Sequence, residues 1–279
     1  MKKLTALLLT TVFLMPCGFA ESGGAPVVTL PASDENGVLA KAVSVDKTMQ
    51  LVATTRHEED AALPYQIDTV YPQIEGDNLS AFAQQFNHLV ENRVNESVQQ
   101  FKNYVKADMP HMQTLPDSLK HNSFKMDYTA DVLKPGNATL ISVRLSVEGM
   151  QAGRAHPYHV HETLNVDLST GKELLLKDFF KPGVNYLTVF SKYASAKLNQ
   201  KLQDKWMIKD GTAPLAKNYA KWNLNNQGIL ITFEEYQVAP YVDGAQEVVI
   251  PWSVLKNLIE PKAVIAACVK TPGGCDSQI

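Results

Sequence analysis

The chain has 279 residues and a formal net charge of −3. This length suffices for one large domain or two small ones. The acidic balance argues against nucleic acids and anionic membrane surfaces as partners, because both attract basic proteins.

The first 20 residues have the pattern of a secretory signal peptide. Lys2 and Lys3 form a positive start, an apolar stretch continues to Phe19, and Gly18 and Ala20 are the small residues that cleavage requires. The apolar stretch, about 16 residues, is shorter than the roughly 20 that span a bilayer. We therefore expect cleavage of residues 1–20, no transmembrane anchor in the mature chain, and a periplasmic or secreted location.

Cleavage at this position would change the cysteine count and the charge. Cys17 leaves with the signal, although a lipoprotein anchored through Cys17 is an alternative, and Cys268 and Cys275 stay. An even pair in an oxidising compartment predicts a disulfide. The mature chain would carry 24 basic residues against 29 acidic ones, a net charge of −5.

The N-terminal half of the mature chain predicts a leader, strands and one long helix. Residues 21–37 are small, polar and broken by Pro and Gly, which is typical of a flexible leader. Alternating apolar residues predict strand structure within 38–55 and over 65–71, where Pro72 ends the strand. Asp77 is the expected N-cap of an amphipathic helix, and residues 108–121 are the expected loop after it. Apolar residues three, four or seven apart define that helix: Leu79, Phe82, Phe86, Leu89, Val90, Val94, Phe101 and Val105.

The C-terminal half predicts more strands and a second main helix. Strands over 123–133, 138–147 and 158–168, joined by short turns, indicate an antiparallel meander. A second amphipathic helix is predicted over 184–204, followed by a hairpin over 221–234, a strand over 247–250 and a short helix over 252–259. The fold class is therefore α+β, with antiparallel sheet packed against two main helices and a short C-terminal helix. We expect an N-terminal part over 38–135, a C-terminal part over 136–260 and a tail over 261–279.

Several stretches in this order carry a family resemblance. They are Tyr71–Ile74, Gly153–Pro157, Asn165–Leu168, Leu176–Phe180, Phe233–Gly244 and Val249–Pro251. Over roughly residues 38–260 the chain resembles the RsiV-type ectodomain family. The resemblance implies a smaller N-terminal part followed by a larger C-terminal part outside the cytoplasm.

The resemblance also implies a kind of function. The best understood members of this family are ectodomains of membrane-anchored anti-sigma factors that bind lysozyme. Other members are free envelope proteins or are joined to polysaccharide deacetylases. This sequence shows no retained membrane helix, sigma-binding segment or deacetylase domain. The resemblance and these features together favour a non-catalytic envelope protein that binds either a protein or a cell-wall glycan. A lysozyme-like muramidase is the most specific candidate partner.

Three histidines offer a metal-binding alternative. His159 and His161 lie two apart on a predicted strand and so share a face, and His156 lies in the loop before it. Three imidazoles can bind zinc with one position open for catalysis. The second functional hypothesis is thus a zinc enzyme that acts on peptidoglycan or polysaccharide. The competing interpretation is a solvent-facing strand that carries histidines.

The loop before the last predicted strand is the other candidate site. Tyr236, Tyr241 and Asp243 surround the stiff Pro240, and together with His156 they are the candidate ligand-binding residues. Tyrosine is favoured at protein interfaces, although a turn that supports the core would also use it. The neighbouring Glu234-Glu235 pair is expected at a strand end with its side chains on opposite sides. Such a pair cannot flank one glycosidic bond.

Overall fold

The computed structural model describes residues 42–60, 62–271, 274–275 and 277–278. The predicted signal peptide (1–20) and leader (21–37) lie outside these residues. In the described ranges, no helix is both long enough and apolar enough to cross a membrane.

The strands form one large and one small sheet. In chain order the described strands are β1 (Val43–Ser44), β2 (Met49–Asp60), β3 (Tyr65–Gly76), β4 (Asn122–Leu133), β5 (Leu140–Met150), β6 (Tyr158–Asp167), β7 (Lys172–Glu173), β8 (Trp222–Leu224), β9 (Gly228–Phe233), β10 (Gln246–Pro251) and β11 (Ser277–Gln278). The large sheet has the order β1-β2-β3-β4-β5-β6-β7, with β11 paired to β4, and the small sheet has the order β10-β9-β8. The predicted meander (β4-β5-β6) and hairpin (β8-β9) are confirmed, and the α+β class with them.

One long helix joins β3 to β4. These two strands are parallel, so the chain must cross over between them. The crossover is α1 (Ala81–Met112), whose buried stripe, including Phe86, Val90 and Val94, packs on one face of the large sheet. Spacing of three and four residues puts these side chains on one side of the helix. The predicted helix is therefore confirmed.

Both predicted ends of this helix were wrong. The N-cap is Ser80, whose hydroxyl accepts a hydrogen bond from the Ala83 N–H at 3.1 Å, and not Asp77. At the other end the helix continues through Pro110 to Met112, inside the predicted loop 108–121. Burial of Met112, which is 2% exposed, favours one more turn.

Pro72 does not end β3, which was the second error in this region. The strand continues to Gly76, and Pro72 pairs with Ala53 of β2. The Ile74 N–H, two residues on, points away from β2 to the Asn87 side chain at 2.7 Å. Residues two apart in a strand have the same orientation, so the backbone nitrogen of Pro72 also points away from β2. Its lack of an N–H therefore removes no hydrogen bond between β2 and β3.

The second half of the chain builds the small sheet and its helices. The main one is α2 (Tyr186–Lys201), capped by Asn185, and the short ones are α3 (Ile208–Gly211) and α4 (Trp252–Leu255). The buried face of α2 packs with β8, β9 and β10 in a second hydrophobic core. Its buried residues are Phe190, Ala194 and Leu198. The predicted second helix is thus confirmed with a shorter span.

The small sheet lies against the large-sheet face opposite α1. Alternation along β5 places Val143 in the core under α1, while Ser142 faces the other way. The Ser142 hydroxyl lies 2.6 Å from Asn165 of β6 and accepts hydrogen bonds from Asn223 and the Leu224 N–H of β8. This buried network fixes the small sheet against β5 and β6, because any shift would leave buried polar groups without partners.

Two further predictions concern the C-terminal tail and the division of the chain into two parts. Cys268 and Cys275 form the predicted disulfide, and both are buried in the second core. The predicted boundary between 135 and 136 falls in the turn between β4 and β5 and stays a prediction.

Candidate functional site

Two segments that are far apart in sequence meet at one end of the small sheet. The Tyr241 hydroxyl donates to the Pro157 carbonyl oxygen at 2.8 Å. The Tyr241 ring lies 4.2 Å from the His156 ring, 6.2 Å from His159 and 5.9 Å from Tyr236, measured between centroids. The rings are tilted to one another by 31–35°. We call these four side chains the aromatic ledge.

Strand alternation sets the base of the ledge. His159 and His161 project from the face of β6 that meets the small sheet, whereas Glu162 projects to the α1 side and accepts a hydrogen bond from Ser97 at 2.6 Å. Each histidine meets a glutamate of the turn after β9: His159 Nδ1 lies 2.7 Å from Glu235, and His161 Nδ1 lies 2.8 Å from Glu234.

Glu234 also covers a strand edge. The His161 N–H donates to the second oxygen of its carboxylate at 2.8 Å. This N–H points away from β5. On that side no described strand pairs with β6 at His161, since β7 pairs only with Val166 and Asp167. A carboxylate at such an edge satisfies the backbone and blocks further strand pairing.

The two glutamates correct a prediction. They were expected on opposite sides of a strand, but β9 ends at Phe233 and both belong to the turn after it. In this turn Glu234 and Glu235 both reach β6. The reason is local, because the period-2 rule applies only while the backbone stays extended.

A strained turn presents Tyr236 to solvent. The Gln237 N–H bonds to the Glu234 carbonyl at 3.0 Å, and Tyr236 between them has a φ of 62°, in the left-handed region. That conformation costs a non-glycine residue about 1–2 kcal/mol. The residue Tyr236 is 58% exposed. Strain of this kind is a recognised mark of functional positions.

Gln237 anchors the turn to the rest of the C-terminal part. Its side-chain amide donates to the Gly211 and Asn218 carbonyls at 3.1 and 3.0 Å, and its oxygen accepts from the Glu234 N–H at 3.1 Å. At Gly211 an added Cβ would lie 1.9 Å from the Gln237 carbonyl oxygen, so only glycine permits this approach. The ledge therefore rests on a rigid support.

The three histidines of the predicted zinc site have other contacts. His156 Nδ1 lies 2.9 Å from the Pro157 carbonyl, and the nitrogens of His159 face Glu235 at 2.7 Å and Glu148 at 3.4 Å. In the described part of the chain, no group of three or more His, Cys, Asp or Glu is arranged to hold a metal ion. Zinc binding by these residues stays a prediction.

The other predicted site residues divide between the ledge and its support. Tyr236 and Tyr241 present their rings, whereas Pro240 starts the short turn that places Tyr241, and its carbonyl accepts the Asp243 N–H at 3.0 Å. The Asp243 carbonyl accepts from Gln246 at 2.6 Å. Sequence reasoning missed Glu148 and Val242. Val242 is 87% exposed. The sequence could have indicated it, because it is an apolar residue between a tyrosine and an aspartate in a predicted loop.

The charge around the ledge is predominantly negative. Glu148 and Asp243 are exposed beside it, and Glu234 and Glu235 lie under its histidines. Partial desolvation, together with the Glu235 carboxylate, raises the pKa of Tyr241 above its usual value. Tyr241 therefore stays a neutral hydroxyl that donates to Pro157.

Comparison with known proteins agrees with this arrangement of elements. Residues 177–253 match the family described as Protein of unknown function (DUF3298), a range that includes α2, the small sheet and the loop that carries Tyr236 and Tyr241. Over these residues the chain is similar to DUF3298 proteins, and the resemblance to the RsiV-type ectodomain family is confirmed. A crystal structure of a DUF3298 family member from Bacteroides fragilis has the same fold, with a TM-score of 0.51 and 14% identity, over 76% of this chain and 93% of that one.

Two curated relatives of this chain come from Bacillus subtilis (strain 168). Anti-sigma-V factor RsiV is 25% identical over 181 residues, which are 62% of this chain and 59% of RsiV. Peptidoglycan-N-acetylmuramic acid deacetylase PdaC is 29% identical over 173 residues, which are 61% of this chain and 35% of PdaC. The chain thus spans only part of the length of either relative.

Proposed function

We propose that this protein is a non-catalytic binding protein of the cell envelope, exported to the periplasm or secreted, and that the aromatic ledge contacts its partner. The observation that carries the proposal is the exposed ring of Tyr236, presented by a strained turn, next to the half-buried ring of Tyr241, which lies against His156. Tyrosine rings bring a large contact area and lose little conformational entropy on binding.

The charge of the ledge favours a basic protein as the partner. Glu148 and Asp243 are exposed beside the rings, and complementary charge steers association and selects partners. The family resemblance makes a lysozyme-like muramidase the sharpest candidate. RsiV is named as an anti-sigma factor and PdaC as a peptidoglycan deacetylase, which supports a role near the cell wall for the shared part.

Binding of a lysozyme-like muramidase tests the proposal directly. We expect the full mature chain to bind lysozyme in biolayer interferometry and to inhibit its hydrolysis of cell walls. Tyr236→Ala should weaken binding about tenfold, the usual effect of losing an aromatic residue at an interface centre. Trp206→Ala is the matched control, because Trp206 is 74% exposed on a different loop. Absence of binding at tens of micromolar lysozyme would reject this partner.

A cell-wall glycan is the competing ligand for the same surface. Soluble peptidoglycan fragments in the same assay separate the two. If they bind and Tyr236→Ala weakens that binding, the ledge is a glycan site. If neither lysozyme nor glycan responds to the substitution, the ledge is not the binding surface.

A further inference from the structure

A second surface, distinct from the ledge, lies between α2 and β10. The groove has a volume of about 550 Å³ and is walled on one side by Tyr193, Lys197 and Lys201 of α2 and on the other by residues of β10. This volume falls in the range of roughly 300–1,000 Å³ that is usual for ligand sites. The wall along β10 includes Glu247, Val248, Val249 and Pro251.

The groove follows the free edge of β10. Among the described residues this strand is the terminal strand of the small sheet and pairs only with β9. Side chains of Glu247 and Val248 project from opposite faces of the strand. A cavity that touches both must lie along the strand edge rather than over one face. The backbone of β10 is therefore part of the groove wall.

The hydrogen-bond pattern shows which backbone groups line this edge. The Thr232 N–H of β9 bonds to the Lys221 carbonyl, on the side of β8, so the neighbouring Ile231 faces β10. Ile231 is opposite Val248, so the N–H and C=O of Val248 point inward to β9. Trp252 is an even number of residues after Val248, so its N–H should point the same way, and it does bond to the Gln227 carbonyl on the inner side.

By this alternation the backbone groups of Glu247 and Val249 point outward. They supply two N–H donors and two C=O acceptors, and Pro251 contributes a carbonyl but no N–H. Among the described residues, none makes a hydrogen bond to these four groups. An unpaired row of this kind is the structure to which an extended peptide adds as a further strand.

The charge of the groove selects the kind of peptide. Glu247 is neutralised by Arg144, with which it forms an ion pair. Lys197 and Lys201 lie one turn apart on α2, are exposed, and pair with no carboxylate in the described ranges. The Lys197 Nζ is 5.6 Å from the centroid of the Tyr193 ring, which holds its stem along the groove. The groove is therefore positively charged next to a free strand edge.

We infer that an acidic peptide segment of a partner protein binds in this groove as an extended strand against Glu247–Val249. The backbone supplies the pairing, and the two lysines supply preference for glutamate or aspartate on the side that faces α2. On the other face of the added strand, Val249 accommodates small apolar side chains between the acidic ones. This site is separate from the ledge and does not depend on what the ledge binds.

Synthetic peptides test the inference on the full mature chain. The probe is a six-residue capped peptide that alternates glutamate with valine. Its controls are the same peptide with lysine in place of glutamate, and the acidic peptide with methylated valine nitrogens, which cannot pair as a strand. Fluorescence anisotropy should show saturable binding of the acidic probe alone, and the amide resonances of Glu247 and Val249 should shift.

Variants of the protein locate the binding. Lys197→Glu with Lys201→Glu should weaken the acidic probe about tenfold, because two attractions become repulsions. Lys192→Glu is the matched control, since Lys192 is exposed on another side of α2. Val249→Pro removes one outward N–H without removing any bond to β9 and should also weaken binding.

The inference is overturned by any of three results. The first is no saturable binding at about 1 mM probe, the weak end of measurable affinity. The second is equal binding of acidic and basic peptides. The third is a dimer in sedimentation equilibrium that Val249→Pro dissociates, because the strand edge then pairs with a second copy of this chain.

Discussion

Replacing Glu234 with alanine tests how the two segments of the ledge are held together. The carboxylate accepts the His161 N–H at 2.8 Å and faces the His161 ring nitrogen at 2.8 Å. Its side chain is 24% exposed and that of His161 is 14% exposed, so water can replace only part of the lost bonding. A hydrogen bond to a charged group contributes roughly 1.5–3 kcal/mol. We expect Glu234→Ala to lower the free energy of unfolding by about 2 kcal/mol, in the middle of that range.

Two measurements check this loss. Thermal unfolding followed by circular dichroism should show a midpoint about 4–8 °C lower, as expected for a chain of this size. Amide hydrogen exchange should be faster at His161, because its N–H would lose its acceptor at the β6 edge. Glu234→Gln keeps one acceptor oxygen and should retain most of the protection. Glu96→Ala, at an exposed position on α1, is the control for loss of a carboxylate.

One result would refute the reasoning. If exchange at His161 and the unfolding midpoint were both unchanged in Glu234→Ala, the carboxylate would not cover the strand edge. The ledge would then depend only on the contacts of Tyr241 with Pro157 and His156. If stability fell but exchange at His161 did not change, the loss would lie elsewhere in the turn.

Three further predictions concern the disulfide, one histidine and zinc. Reduction of Cys268–Cys275 should lower the free energy of unfolding by about 2.5 kcal/mol, from the entropy of closing so short a loop, and urea titrations with and without reductant measure the difference. The hydrogen bond to Asp68 raises the pKa of His57 above 6.5, so this pair stabilises the fold below that pH and loses its contribution as the pH rises through the raised pKa. The stability advantage of wild type over His57→Gln should therefore shrink from acidic to alkaline pH, and an advantage that grows would contradict the assignment. Isothermal titration with zinc should give no heat above buffer, because the described part of the chain does not arrange the three histidines as a metal-binding group; saturable heat would revive the enzyme hypothesis.

Local patterns accounted for most of the elements. The three- and four-residue spacing of apolar side chains predicted α1 and α2, and short turns between apolar runs predicted the β4-β5-β6 meander. The failures occurred where a local rule depends on surroundings. Pro72 would end the strand only if a neighbouring strand needed an N–H at that position, and the open edge there needs none. Asp77 would cap the helix only if the helix began directly after it, but the helix begins after Ser80, which provides the cap.

The candidate site was predicted in part. Tyr236, Tyr241 and His156 drew attention as residue types, and the structure brings them together through the contact of Tyr241 with Pro157. The partners of the histidines were not predicted, because Glu234 and Glu235 are more than 70 residues away in sequence, with separations of 73 and 76. No periodicity within one segment specifies which glutamate meets which histidine.

The sequence by itself determined the α+β class, the two amphipathic helices, the cysteine pair and the resemblance to the family. Each of these depends on residues close together in the chain or on composition. Tertiary structure alone decided that the small sheet lies opposite α1, that two loops form the ledge, and that β10 keeps a free edge beside Lys197 and Lys201. These features arise from packing between segments distant in sequence, where burial and hydrogen bonding across the whole fold select one arrangement.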